Sequence, residues 1–150
     1  MIVMEPRGGL TVLAGILLER PRTIERHGLL LDGLRHGSWE SRAADGALVV
    51  SAEYDRGVRH GRWTRWYECG RPAVVVGYHQ GVPDGVLYAW HGNGNPALRA
   101  TFRRGVLEGR FAAWHADGRS LAEGAFRDGD PHGEWVRRLS AGGVSVRRYS

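Results

Sequence analysis

Lysine is absent from this chain: all 21 basic residues are arginine. Guanidinium forms bidentate contacts to carboxylate and phosphate that ammonium does not. These arginines, however, alternate with acids and form no block, the pattern of a solvated surface. Cysteine is nearly absent, and the single Cys69 excludes an internal disulfide and any cysteine-based zinc site. Long apolar runs are missing too. Leu10 to Leu18 is apolar for nine residues, well short of the ~20 needed to span a bilayer as a helix. Glu5 precedes it, and Glu19-Arg20-Pro21 stands where a cleavage site with small residues would be, which argues against a secretory leader. No glycine-rich loop opens onto a helix, so phosphate cradling has no scaffold. No nucleophile and base stand in a fixed pattern, and Cys69 has no set histidine–acid companion. The chain reads as non-enzymatic, cytoplasmic, and without cofactor, metal or small-molecule ligand.

What the chain does have is glycine, 23 in all, at a fixed beat. Gly33, Gly57, Gly81, Gly105 and Gly129 are 24 residues apart. Gly37, Gly61, Gly85, Gly109 and Gly133 keep the same step, as do Gly46, Gly70, Gly94, Gly118 and Gly142. Large apolar residues follow in phase at Trp39, Trp63, Leu87, Phe111 and Trp135, and rings at Tyr54, Tyr78, Phe102 and Phe126. Such periodicity marks a repeat architecture, in which each unit buries its apolar face only against its neighbours. At 150 residues, with 42% hydrophobic content and six tryptophans, the chain is one folded domain. Residues 1–31 read as a degenerate capping repeat, with Gly9 in phase with Gly33, and residues 32–150 as five tandem units, the last truncated.

Within a unit, Gly57-Val58-Arg59-His60-Gly61 reads as a turn, because both glycines accept positive φ. Arg62 to Tyr67 reads as a strand, and Glu68-Cys69-Gly70-Arg71 as the next turn, with Asp117-Gly118 the hairpin signal at that place in a later unit. Pro72 and Pro96 open the second strand, where a missing N–H does little harm. That strand alternates with period two. Val50, Ala52, Tyr54; Val74, Val76, Tyr78; Leu98, Ala100, Phe102; and Ala122, Gly124, Phe126 point inward, with polar or small residues between. Two strands and two turns fill 24 residues, leaving no room for a helix. The expected fold is all-β: an elongated, twisted antiparallel meander of roughly ten strands. The small middle residue of each inward set leaves room for the first ring series to lie across the sheet.

The unit Gly-x-x-x-Gly-x-Trp-x-x-Trp-x-x-x-Gly resembles the MORN repeat, in its bacterial variant. Asp32-Gly33, His36-Gly37-Ser38-Trp39, His60-Gly61-Arg62-Trp63, Trp66-Tyr67-Glu68-Cys69-Gly70 and His132-Gly133-Glu134-Trp135 carry the match, which covers residues 32–150. Leu87 departs from the aromatic, as do Arg42 and Arg138 where the central units have tryptophan. The resemblance implies an open, curved β-hairpin solenoid without catalysis. It also implies an antitoxin or immunity protein that neutralises a bacterial toxin.

Trp66, Trp90 and Trp114 form a column in the three central units alone. Three residues after the first ring series, a regular strand would turn them to the opposite face, where exposed indoles want a partner. A curled or bulged sheet would instead take them into the core. Arg65 and Arg99 accompany the column, and Arg42 and Arg138 replace tryptophan at its ends. His36, His60 and His132 share a phase with Asp84 and Glu108, which suggests exposed turn tips; a spacing of two strands, ~10 Å, is too wide for metal ligands. His91 and His115 follow the tryptophans and would cover the sheet. A toxin partner should be acidic at the contact or not a nuclease, since a nuclease's cationic groove calls for an acidic inhibitor. Nucleic acid is disfavoured as a partner. A membrane surface met by Arg99, Arg103, Arg104 and Arg127, or a purely structural scaffold, are the alternatives.

Overall fold

The computed structural model describes residues 25–139 and 141–150. Residues 1–24, including the apolar segment at Leu10 and most of the expected cap, lie outside them. The chain runs through β1 (Glu25–Leu31), β2 (Leu34–Arg42), β3 (Leu48–Asp55), β4 (Val58–Trp66), β5 (Pro72–His79), β6 (Val82–Pro83) and β7 (Gly85–Trp90). It continues through β8 (Pro96–Arg103), β9 (Val106–Leu107), β10 (Gly109–Trp114), β11 (Ser120–Arg127), β12 (Asp130–Arg138) and β13 (Val144–Tyr149). Consecutive strands pair antiparallel in one sheet, in the order β1-β2-β3-β4-β5-β7-β8-β10-β11-β12-β13, with β6 on β5 and β9 on β8. No helix occurs among the described residues. The expected all-β hairpin meander is the observed fold, and β1 extends its pairing into the expected cap.

Two kinds of turn alternate. At Asp32-Gly33, Arg56-Gly57, Gln80-Gly81, Arg104-Gly105 and Asp128-Gly129 both residues have positive φ, 45° to 51° and then 77° to 88°. Partners such as Asp55↔Val58 flank each pair, so these are two-residue type I′ hairpins. The other turn holds Gly46, Gly70, Gly94, Gly118 or Gly142 at positive φ behind a three-residue loop, as in Gly70 N–H to Tyr67 O and Tyr67 N–H to Arg71 O. That is a type I turn with a glycine bulge.

The segment Gly57 to Gly61 is therefore not one turn. The chain reverses at Arg56-Gly57, and Val58-Arg59-His60 already lies in β4. Gly61 is a bend inside that strand. From Ala52↔Trp63 to Tyr54↔Arg59, two steps along β3 match four along β4. The two extra residues bend the strand where Gly61 sits at φ 91°. Because the excess is even, Arg59 stays on the face of Trp63.

The core lies on one face. Ala52, Val74, Val76, Tyr78, Leu98, Ala100, Phe102, Ala122 and Phe126 of the inward sets are buried, with Val50 and Tyr54 packed against them. Across this face bulky and small residues alternate: Trp39↔Ala52↔Trp63↔Val76, then Leu87↔Ala100, then Phe111↔Gly124. The Trp135 ring covers Gly124 so closely that a Cβ there would clash with it. Trp39 covers Gly28 in the same way, and Gly28 is in phase with Ala52. Phe111, Phe126 and Trp135 close the end of the core, with ring centroids 5.0 to 5.6 Å apart. Burying one such large apolar side chain contributes about 1.5–3 kcal/mol.

Candidate functional site

The histidine–acid column is not at the turn tips. His36, His60, Asp84, Glu108 and His132 sit at or beside the bend glycines, and several accept hydrogen bonds from the I′ tip of the following hairpin. Arg56 N–H donates to His36 Nδ1 at 3.5 Å, Arg104 N–H to Asp84 Oδ1 at 3.4 Å, and Asp128 N–H to Glu108 Oε2 at 2.9 Å. The tip glycines donate alongside: Gly57 to Arg35 O, Gly81 to Arg59 O, Gly105 to Pro83 O and Gly129 to Leu107 O, at 2.7 to 2.9 Å. What His, Asp and Glu share here is an acceptor atom, so this column docks one repeat on the previous one. His60 lies against His79 with centroids 5.1 Å apart. No group of three or more metal-ligating side chains occurs among the described residues.

On the opposite edge the loops are laced in register. Tyr67 Oη donates to Trp90 O at 2.7 Å, and His91 Nε2 to Trp114 O at 2.9 Å. Asn93 and Asn95 both donate to Ala116 O. His91 thus joins neighbouring loops. Asp117 accepts from Arg119 N–H at 3.0 Å and from its Nε at 2.7 Å. The backbone hydrogen bond holds its carboxyl below the usual aspartate range, with Arg119 adding to the effect.

The tryptophan column lies on the face away from the core. Trp66 Nε1 donates to Ser51 Oγ at 3.2 Å, and Ser51 belongs to the polar set of β3. Tyr88 is paired with Val75 and Arg99, and its ring stacks toward Trp90 with centroids 6.1 Å apart. Trp114 borders a depression of about 580 Å³ with Arg99, Arg110, Ala112, Glu123 and Glu134. All three indoles are half-buried and outside the core cluster, while Tyr88 is 42% exposed. Of the two sequence-level alternatives, the structure takes the opposite face.

Trp66 pairs with Pro72 and Trp90 with Pro96, and the register then skips Ala73 and Ala97. Ala73 lies in the core and Ala97 packs against it, so on this face the indoles are separated by Pro72 and Pro96. The arginines fall in different places. Arg99 is half-buried at the centre of this face, and it makes no hydrogen bond or ion pair to the described residues. Arg42 caps its own loop, donating to Gly46 O and to Glu40 Oε2 at 2.7 Å. Arg65 pairs with Val74 and so falls on the core face, away from the tryptophans. Arg138 is exposed opposite Val144. Tyr88 and Arg110 belong to the site although sequence reasoning did not single them out. The available signal was parity: Tyr88 precedes Trp90 by two, and Arg110 precedes Trp114 by four.

No protein-family model matches the chain, and no curated protein matches it.

Proposed function

We propose that this chain is a non-enzymatic, protein-binding repeat module of the cytoplasm, an antitoxin or immunity protein that captures a cognate toxin. The observation that carries the binding reading is the placement of Trp66, Trp90 and Trp114, half-exposed in one row outside the core. Aromatic and arginine side chains are the usual anchors of protein interfaces, and Tyr88 with Arg99 stands beside this row. A half-buried guanidinium without an acid favours a partner that brings carboxylates. The toxin assignment rests on the resemblance of the unit to the MORN repeat. A phosphate-tracking role is less well supported, because Arg127 at its hairpin tip is interleaved with Asp128 and Asp130.

The test is co-expression with a toxin encoded in the neighbouring reading frame, scored by growth and by binding of the purified pair. The chain should restore growth and bind, and Trp90→Ser should lose both while keeping its thermal unfolding. Rescue that survives Ser at Trp66, Trp90 and Trp114 alike removes this face as the binding surface. Binding that vanishes between low and moderate salt would favour phosphate tracking instead.

A further inference from the structure

We infer that the tryptophan row docks a proline-rich segment of the partner in polyproline II conformation, lying across the strands; this rests on the protein-binding reading above. Trp66, Trp90 and Trp114 are on β4, β7 and β10, with one strand between each pair. Two inter-strand spacings place successive ridges about 9.6 Å apart. A polyproline II helix repeats every three residues at ~3.1 Å each, about 9.3 Å. Its prolines therefore return to the same side at nearly the step of the indoles. An α-helix advances only ~5.4 Å per turn, and a strand presents like faces every ~6.8 Å, so neither keeps this beat.

The shape of the row agrees. Indole ridges alternate with Pro72 and Pro96, giving apolar slots with aromatic walls. Aromatic-lined grooves of this kind are how polyproline II segments are held. A second observation is independent of spacing. Trp66 Nε1 is taken by Ser51, but Nε1 of Trp90 and of Trp114 has no hydrogen-bond partner among the described residues. Neither nitrogen is a buried unsatisfied atom, a condition met only by the Tyr149 hydroxyl among the described residues. Both are therefore solvent-facing donors, and the solvated carbonyls of polyproline II are matching acceptors. Arg99, between Trp90 and Trp114 in strand order, is placed to take an acidic residue flanking the prolines.

The experiment uses the wild-type chain and its six indole N–H resonances. A proline nonapeptide is titrated against it, with a glycine–serine nonapeptide as control. The signals of Trp66, Trp90 and Trp114 should move and those of Trp39, Trp63 and Trp135 should not; a proline tripeptide, reaching one ridge, should bind at least tenfold more weakly. Trp90→Ser should weaken the nonapeptide tenfold or more. No shift at millimolar peptide, equal binding of the glycine–serine control, or shifts confined to the core indoles would overturn the inference. If a toxin partner is lost in Trp90→Ser yet is not displaced by the proline peptide, the face stands as an interface and only its occupant is wrong. If the partner ignores all three tryptophans, the interface reading itself fails.

Discussion

Arg59 donates a hydrogen bond from Nη1 to the hydroxyl of Tyr78 at 3.2 Å, and its guanidinium lies over the Tyr78 ring at 5.2 Å. One repeat earlier Arg35 treats Tyr54 in the same way, at 3.2 Å and 5.3 Å. At the same spacing in later repeats both partners change together, to Pro83 with Phe102 and to Leu107 with Phe126. The hydroxyl is kept where a guanidinium can reach it. Burial alone would lower the Arg59 pKa, but hydrogen bonds and charge interactions with Tyr54 and Tyr78 outweigh it and the net shift is upward. Arg59 therefore stays charged at every accessible pH. Tyr78→Phe is expected to cost about 1 kcal/mol. Arg59→Leu should cost more than that, about 1–3 kcal/mol, because it strands a buried hydroxyl. The double variant should be less destabilised than the sum, as urea unfolding will show.

Tyr149 predicts the reverse sign. It takes the place opposite Gly133 that Phe126 takes opposite Gly109, but its hydroxyl is buried with no partner. The position equivalent to Arg35 and Arg59 is Pro131, which cannot donate. Tyr149→Phe should be neutral or stabilising by up to about 1 kcal/mol, where Tyr78→Phe is destabilising. A matching loss in both would contradict the unsatisfied-hydroxyl account.

Gly124 is held small by the Trp135 ring. Gly124→Ala should destabilise by about 1–3 kcal/mol through overpacking. Trp135→Leu in the same chain should recover much of the loss, because Val76 and Leu87 hold the same two positions two units earlier, where leucine packs beside a larger partner. The readout is the midpoint of thermal unfolding of the single and double variants.

Gln80 occupies the first position of a type I′ turn at φ 48°. Asparagine or glycine tolerates that region better than glutamine. Gln80→Asn should therefore raise stability by a few tenths to about 1 kcal/mol without touching the tryptophan face. A fall in stability would mean that the side chain contributes more than the strained backbone costs.

Asp117 gives a pH effect. Its folded pKa lies below its unfolded value, so its contribution is full above the unfolded pKa of ~3.9 and is lost as pH falls through the lower folded value. Asp117→Asn should remove that acid-side dependence and lower stability near pH 7 by the same small amount, while keeping the backbone contact that Asn93 makes one unit earlier.

The period, the inward sets and the alternation of large and small residues were legible because each depends on residue size and spacing alone. The role of Gly61 was not. A glycine signals positive φ, but positive φ serves a chain reversal at Gly57 and a bend within a continuing strand at Gly61. Tyr149 escaped the ring series because the last hairpin pairs regularly, without the shift found between Arg65 and Trp66, and so falls one residue out of phase. The docking column was hidden by its mixed chemistry, since His36, Asp84 and Glu108 have only acceptor capacity in common. Parity within the strand carries the tryptophan face, and it also separates Arg110, four residues before Trp114, from Arg65, one residue before Trp66.

Because the tips at Gly57, Gly81, Gly105 and Gly129 each donate to a carbonyl of the repeat before, the same bond recurs at four successive junctions. The molecule is therefore extensible. Duplicating residues 57–80 would insert a unit whose tip and bend both find ready partners, and it would add a fourth indole to the row. Reach along a ligand then becomes a matter of copy number, adjustable by unequal recombination with no new surface to invent.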